Sequence, residues 1–214
     1  MSTVAIAGGH GKIAMMLGRL LAERGDTARG LIRKPDQEED LRAAGIEPVL
    51  CDLEGDGDVA AAIRGADAVV FAAGAGPGSG DARKQTVDKG GAVKLIEAAK
   101  AEGISRYLIV SSINADKAPE DGSEGFGAYL QAKFEADEAL RASGLDYTIV
   151  RPGSLTDDPG TALVAAAAKL DIGPIPRADV AAVFVACLDE PRTIGKSFDL
   201  ISGTTPIPEA VAAL

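Results

Sequence analysis

Tryptophan is absent from this 214-residue chain, and aromatic residues make up only 4% of it. That is too few to build the stacking platforms that bind unpaired bases. Histidine occurs once, at His10, which excludes a multi-histidine metal site. The two cysteines, Cys51 and Cys187, exclude a disulfide framework and a cysteine-based zinc site. No metal is expected, and isolated thiols suit a reducing, cytoplasmic setting. No apolar run approaches the roughly 20 residues that span a bilayer, since the alanines at 165–168 are stopped by Lys169 and Asp171. No charged segment followed by an apolar stretch opens the chain, so no secretory signal is expected. Positive charge is scarce: 22 Lys and Arg stand against 32 Asp and Glu, a net charge of -10. Such a polyanion is repelled by phosphate backbones and anionic membranes. The expected partner is a small molecule, with neither nucleic acid nor membrane, on a monomer or small homo-oligomer. An anionic ligand must find a local positive site against the global field.

What is present is an ordinary globular balance, 46% hydrophobic and 25% charged, in a chain long enough to bury a large core unaided. No linker, repeat or low-complexity tract divides it, so residues 1–214 read as one domain. Short β-branched runs alternate with longer helical patterns, the rhythm of parallel strands joined by crossover helices. Strands are expected at about 3–7, 27–33, 46–51, 67–73, 106–112 and 146–151. Helices are expected at about 12–24, 36–44, 58–64, 82–102 and 126–143, several of them stopped by a glycine. The polar, acidic loop at 113–125 reads as a lid. Beyond Gly153 the pattern is less regular. Residues 162–176 fit either a strand pair or a short helix, a helix is expected at about 178–189 with Asp179 as its N-cap, and a strand at about 198–201. The fold class is therefore α/β, a doubly wound parallel sheet with helices on both faces, and 153–214 supply a small substrate-binding region.

The strongest single signal is Gly8-Gly9-His10-Gly11-Lys12-Ile13-Ala14, set between the first strand and the first helix. Glycines let a backbone approach a pyrophosphate, and the helix N-terminus offers unpaired N–H groups with partial positive charge. Ala14 is small enough to let helix pack on strand. His10 is assigned a phosphate or ribose contact, and Lys12 adds charge. NAD sites usually place an acid at the end of strand two; Arg33 and Lys34 stand there instead. A guanidinium pairs with the 2′-phosphate of NADP and stacks on adenine, so NADP is preferred and NAD remains possible. Asp52 and Leu53, ending strand three, sit where an adenine edge lies; Asp52 either accepts from that edge or holds a turn. Ala72, Ala73 and Gly74 let the middle of a dinucleotide approach strand four.

Tyr129 and Lys133 lie four residues apart on one helix face. An ammonium beside a phenol favours the phenolate and makes the tyrosine a competent proton donor to a carbonyl. Lys133 can also hold a ribose. Ser112, at the end of strand five, is placed to hydrogen-bond the same carbonyl oxygen. Pro152-Gly153 ends strand six, either as a plain strand stop or as a turn against a nicotinamide.

Together Gly8-x-x-Gly11-x-x-Ala14, Asp52-Leu53, Ala72-Ala73-Gly74, Val110-Ser111-Ser112, Tyr129-x-x-x-Lys133 and Leu145-Asp146-Tyr147-Thr148-Ile149-Val150-Arg151-Pro152-Gly153 resemble the short-chain dehydrogenase/reductase superfamily. The likeness is greatest to its atypical NAD(P)-binding branch, near NmrA-like and biliverdin-reductase-B-like proteins. It implies a Rossmann fold, the catalytic set Ser112, Tyr129 and Lys133, and a nicotinamide contact for Pro152-Gly153. The family's fourth catalytic residue is an Asn on the helix after strand four; here the matching position is Asp88, which lacks an amide donor.

The leading expectation is an NADPH-dependent oxidoreductase acting on a small carbonyl or conjugated substrate. A non-catalytic NADP(H) sensor is the first alternative. A nucleotide-sugar epimerase or dehydratase is the second, disfavoured by the short chain beyond Arg151.

Overall fold

The computed structural model describes residues 1–74, 85–119 and 125–214. In chain order the strands are β1 (Thr3–Ala7), β2 (Thr27–Ile32), β3 (Glu47–Leu50), β4 (Ala68–Phe71), β5 (Arg106–Val110), β6 (Asp146–Pro152), β7 (Ser154–Thr156), β8 (Leu163–Ala167), β9 (Pro174–Pro176), β10 (Lys196–Ser202) and β11 (Thr205–Pro206). The α-helices are α1 (Lys12–Glu23), α2 (Glu38–Ala43), α3 (Val59–Ile63), α4 (Ala92–Ala101), α5 (Gly125–Arg141), α6 (Arg177–Asp189) and α7 (Ile207–Ala212). A π-helical turn, Gln85–Gly91, leads into α4.

Among the described residues, nine strands form one sheet in the order β11-β8-β10-β6-β5-β4-β1-β2-β3. Every pairing from β3 across to β10 is parallel. The chain winds outward from β1 in one direction, returns, and winds outward through β4 in the other. That reversal opens a crevice beyond the carboxyl ends of β1 and β4, where ligands of open α/β sheets bind.

The sheet is buried on both faces, as continuous apolar strands require. In β1, Val4 and Ile6 point to the layer holding Leu17 and Leu21 of α1 and Val180 and Phe184 of α6. Ala5 and Ala7 point the other way, to the layer of Ile63 in α3, Leu95 in α4 and Leu140 in α5. The Rossmann-like α/β architecture expected from the sequence is thus the one observed.

Several boundaries differ. Strands four and five end earlier than expected: Ala72 and Ala73 lie beyond β4 and, with Gly74, line the crevice, while Ser111 and Ser112 follow the end of β5. The expected helix at 82–102 opens as the π-helical turn before becoming α4; its residues 82–84 lie outside the described residues, as do 75–81 of the glycine-rich segment and 120–124 of the loop read as a lid. The 162–176 region resolves as strands, though not paired with each other. β8 runs antiparallel to β10, and β9 pairs with β7. With β11 added to β8, most of the strand residues after Gly153 extend the main sheet.

Asp179 is not an N-cap. The helix starts at Arg177 with Pro176 before it, and the buried Asp179 carboxylate reaches back to the preceding loop. It accepts from Thr161 N (3.0 Å), Thr161 Oγ1 (3.0 Å) and Ala162 N (2.9 Å). Those bonds hold Ala162 at φ 58, a left-handed backbone that a side chain disfavours.

A polar seam crosses the α5 side of the sheet. Asp137 is fully buried, accepts from Ser111 Oγ at 2.9 Å and pairs with Arg151 Nε at 3.2 Å. Burial pushes its carboxyl up to about 6, although Arg151 and Ser111 pull the other way. A carboxyl raised in the folded state stabilises fully below its ordinary value of about 4 and loses that contribution as pH climbs through about 6. Urea unfolding of the protein and of Asp137→Asn between about pH 4 and about pH 7.5 should show the natural chain losing up to about 3 kcal/mol relative to the variant. Parallel stability curves would refute the ionisation assigned to Asp137. The pH slope is the readout, because Asn also removes a counter-charge from Arg151.

Candidate dinucleotide and active site

The turn after β1 is built so that two backbones touch. Gly8 adopts φ 78, and a Cβ there would fall 2.6 Å from the Cα of Ala73. A Cβ on Gly9 would lie 2.7 Å from the Cα of Gly30. Only side-chain-free residues permit this approach to the ends of β4 and β2. Gly11 N–H donates to the Gly8 carbonyl at 2.8 Å, and the Gly11 carbonyl accepts from Met15 N–H at 2.8 Å. Gly11 is also the N-cap of α1 and supplies no capping side chain. The first amides of a 12-residue helix therefore open toward the crevice.

The resulting cleft has a volume of about 300 Å³. Of the residues singled out by sequence, Gly8, His10, Gly11, Arg33, Asp52, Leu53, Ala72, Ala73 and Gly74 line it. Gly9 packs beneath it against Gly30. Ile13 belongs to the core of the α1 layer, and exposed Lys34 precedes the short 3-10 turn Pro35–Gln37. Sequence reasoning missed Leu31, Ile32, Gln37, Cys51, Glu54 and Val87. Leu31, Ile32 and Cys51 were findable, because the carboxyl ends of β2 and β3 must border such a crevice. Gln37, Glu54 and Val87 carried no signal.

The basic side chains in and beside the cleft already face acids. Arg33 Nη1 lies 3.4 Å from Glu54 Oε2, and His10 Nε2 lies 2.8 Å from Asp40 Oδ2. Lys12 turns away from the cleft lining toward Asp157, at 2.5 Å, and Arg177 meets the other oxygen of the same carboxylate at 2.7 Å. The Lys12 hydrogen bond, with the Arg177 and Lys12 charges, holds the Asp157 carboxyl below its usual range against the opposing effect of desolvation. Asp52 spends Oδ1 on the Glu54 N–H at 2.9 Å, so its turn role is realised.

On the other side of Gly74 lies a buried ion pair. A Cβ on Gly74 would sit 3.4 Å from Asp88 Oδ1, and that oxygen is 3.0 Å from Lys133 Nζ. Lys133 and Asp88 are 3% and 0% exposed, so each charge depends on the other in a medium that penalises single ions. Burial alone would lower the Lys133 pKa; the electrostatic influence of Asp88, Tyr129 and Asp137, with the Asp88 hydrogen bond, raises it overall. Lys133 Nζ also donates to the Val110 carbonyl at 3.0 Å. Two of its three donors are thereby committed to protein. The ammonium stands 5.7 Å from the Tyr129 ring centroid and 5.9 Å from that of Phe71. Tyr129 is half-buried, and Phe126 stacks on it with centroids 5.7 Å apart.

Ser112 is half-buried, two residues beyond Val110, and its Oγ donates to the Ile113 carbonyl at 3.2 Å. Its neighbour Ser111 is the buried one, turned to Asp137. Pro152 and Gly153 tie strand ends together: the Pro152 carbonyl accepts from Ile113 N–H at 3.1 Å, and Gly153 N–H donates to the Leu200 carbonyl at 2.9 Å. Among the described residues no helix is long and apolar enough to cross a membrane, and no group of three or more His, Cys, Asp or Glu could hold a metal ion.

Known proteins resemble this chain over its whole length. YhfK of Bacillus subtilis (strain 168), described as an uncharacterized sugar epimerase, is 44% identical over 213 residues, 99% of each chain. A structure from Bacillus halodurans, provisionally named an NAD-dependent epimerase/dehydratase, is 37% identical, covers 100% of both chains and superposes with a TM-score of 0.92. ChuY, an anaerobillin reductase from Escherichia coli O157:H7, is 25% identical with a TM-score of 0.80, over 94% of this chain and 97% of its own. Residues 8–191 match the NAD(P)H-binding family model, and the chain belongs to that family.

Proposed function

We propose that the chain is an NADPH-dependent reductase of a small carbonyl or conjugated substrate, working in a cytoplasmic setting. The observation that carries this reading is the position of Tyr129 over a buried, charged Lys133, with Asp88 linking that lysine to the floor of the nucleotide cleft at Gly74. The residues fit a dinucleotide: the Gly8–Gly11 turn leaves room that a Cβ would fill, and the α1 amides face it. Gly8, Gly9, His10 and Gly11, with the first α1 amides, would hold the pyrophosphate. Asp52, Leu53, Arg33 and Lys34 would hold the adenosine end, and Ala72–Gly74 with Pro152-Gly153 the remainder. A bound reduced pyridine nucleotide supplies a hydride.

The chain's own part is proton delivery and orientation. The Tyr129 phenol donates its proton to the substrate oxygen, and the fixed charge of Lys133 stabilises the phenolate left behind. Asp88 keeps that lysine protonated in its buried site. The Ser112 hydroxyl donates to the same oxygen and orients it, and Phe126 keeps the Tyr129 ring from turning. The NADP preference rests on Arg33 at the end of β2, where an acid would suit NAD.

The relatives named as epimerases support a second use of the same tyrosine and lysine. Against it, β8, β10 and β11 are spent on the main sheet, which leaves the β7–β9 pair and the flanking loops to grip a substrate. That is little chain for a sugar nucleotide.

Two measurements test the proposal. In Tyr129→Phe, NADPH affinity should be unchanged while turnover on a carbonyl panel, followed by NADPH absorbance, falls by about 100-fold or more. Persisting turnover would remove Tyr129 from its role, and a natural chain that binds NADPH but turns over no substrate favours the sensor reading. In Arg33→Asp, NADPH binding should weaken by about tenfold or more while NADH binding is spared, as loss of a charge-assisted contact requires. Equal losses for both coenzymes would refute the 2′-phosphate contact.

A further inference from the structure

Glu54 is presented to the nucleotide cleft by an unusually well-tied loop. Its N–H donates to Asp52 Oδ1 at 2.9 Å. Lys94 Nζ donates to the carbonyls on either side of it, Leu53 O at 2.9 Å and Gly55 O at 3.0 Å. The backbone of Glu54 is thus fixed from both flanks, and the side chain projects into the cleft lining beside Arg33. Each of its oxygens has a contact at the cleft. Oε1 accepts from Thr86 Oγ1 at 2.9 Å, whereas Oε2 faces Arg33 Nη1 at 3.4 Å. The first contact is short; the second is long, and the arginine side chain is 43% exposed, so it is the one that yields to a competitor.

We propose that Glu54 is a coenzyme-selectivity residue, a carboxylate beside the Arg33 guanidinium with which a 2′-phosphate must compete. The proposal rests on the reading of this cleft as a nucleotide site. A coenzyme with a free 2′-hydroxyl leaves the Arg33–Glu54 contact in place. One with a 2′-phosphate exchanges one anion for another on the same guanidinium and brings its own charge beside a carboxylate that Thr86 and the fixed backbone keep near. Glu54 therefore restrains affinity for the phosphorylated coenzyme and leaves the other little changed. The acid that NAD sites carry on strand two is here supplied across the cleft, from the loop after β3.

The test is titration calorimetry of the full chain with NADPH and with NADH at one fixed salt concentration. Glu54→Gln keeps the acceptor for Thr86 and removes the charge. NADPH should bind about threefold or more tightly to this variant, the size of an exposed charge contact. NADH affinity should move by less than about twofold. In an Arg33→Gln background the gain from Glu54→Gln should shrink, because the guanidinium over which the anions compete is gone. An unchanged or weakened NADPH affinity in Glu54→Gln overturns the proposal, as does an equal gain for both coenzymes. A gain of the same size without Arg33 overturns the exchange. If the natural chain binds neither coenzyme, the nucleotide reading fails first and this proposal falls with it.

Discussion

Contact between main chains, with no side chain between them, governs the site. Gly8 rests on Ala73 and Gly9 on Gly30, so the turn after β1 is wedged between the ends of the two neighbouring strands. Everything that faces the cleft is positioned from there. The α1 axis is fixed at its start, its amides point into the crevice, and Ala72–Gly74 form a floor on which a flat group can lie. Behind that floor Asp88 meets Lys133, and in front of Lys133 stands Tyr129. The glycine turn and the Tyr129–Lys133 pair are two sides of one thin wall.

Electrostatics complicate the cradle. A chain of net charge -10 was expected to gather a small cationic patch for an anionic ligand. The cations are present, but Arg33 and Lys12 each face a carboxylate and His10 meets Asp40. The oriented amides at the start of α1 add a partial positive charge that no acid can neutralise without capping the helix.

Much of this was legible in the sequence. Short apolar runs punctuated by Gly8, Gly25, Gly45 and Gly144 announced the strands and helix stops of the Rossmann-like half, because a glycine at the end of a periodic run has few other readings. Tyr129 and Lys133 could be paired because helix spacing alone sets their relation. What spacing could not reveal was contact between distant segments. Lys12 with Asp157, His10 with Asp40 and Arg33 with Glu54 join residues 145, 30 and 21 positions apart. Asp179 misled for a related reason: its place near a helix start resembled a cap, yet its partners lie 17 and 18 residues back. Residues 162–176 were ambiguous because short alanine- and proline-rich runs carry little periodicity. Their pairing comes from the edge of β10 for β8 and from β7 for β9, partners that only the folded chain provides.

The buried stripe on α5 has a consequence for how the protein tolerates change. Tyr129, Lys133 and Asp137 recur every four residues, one above the other, and the lower two are anchored to the end of β5 through Val110 and Ser111. Adding or removing one residue inside this helix would turn the stripe by roughly 100°, swing an ammonium and a carboxylate into hydrocarbon, and carry the phenol away from Lys133. Length variation among kindred sequences should therefore collect ahead of Gly125 and behind Arg141. The helix itself behaves as a ruler whose divisions are set by charge.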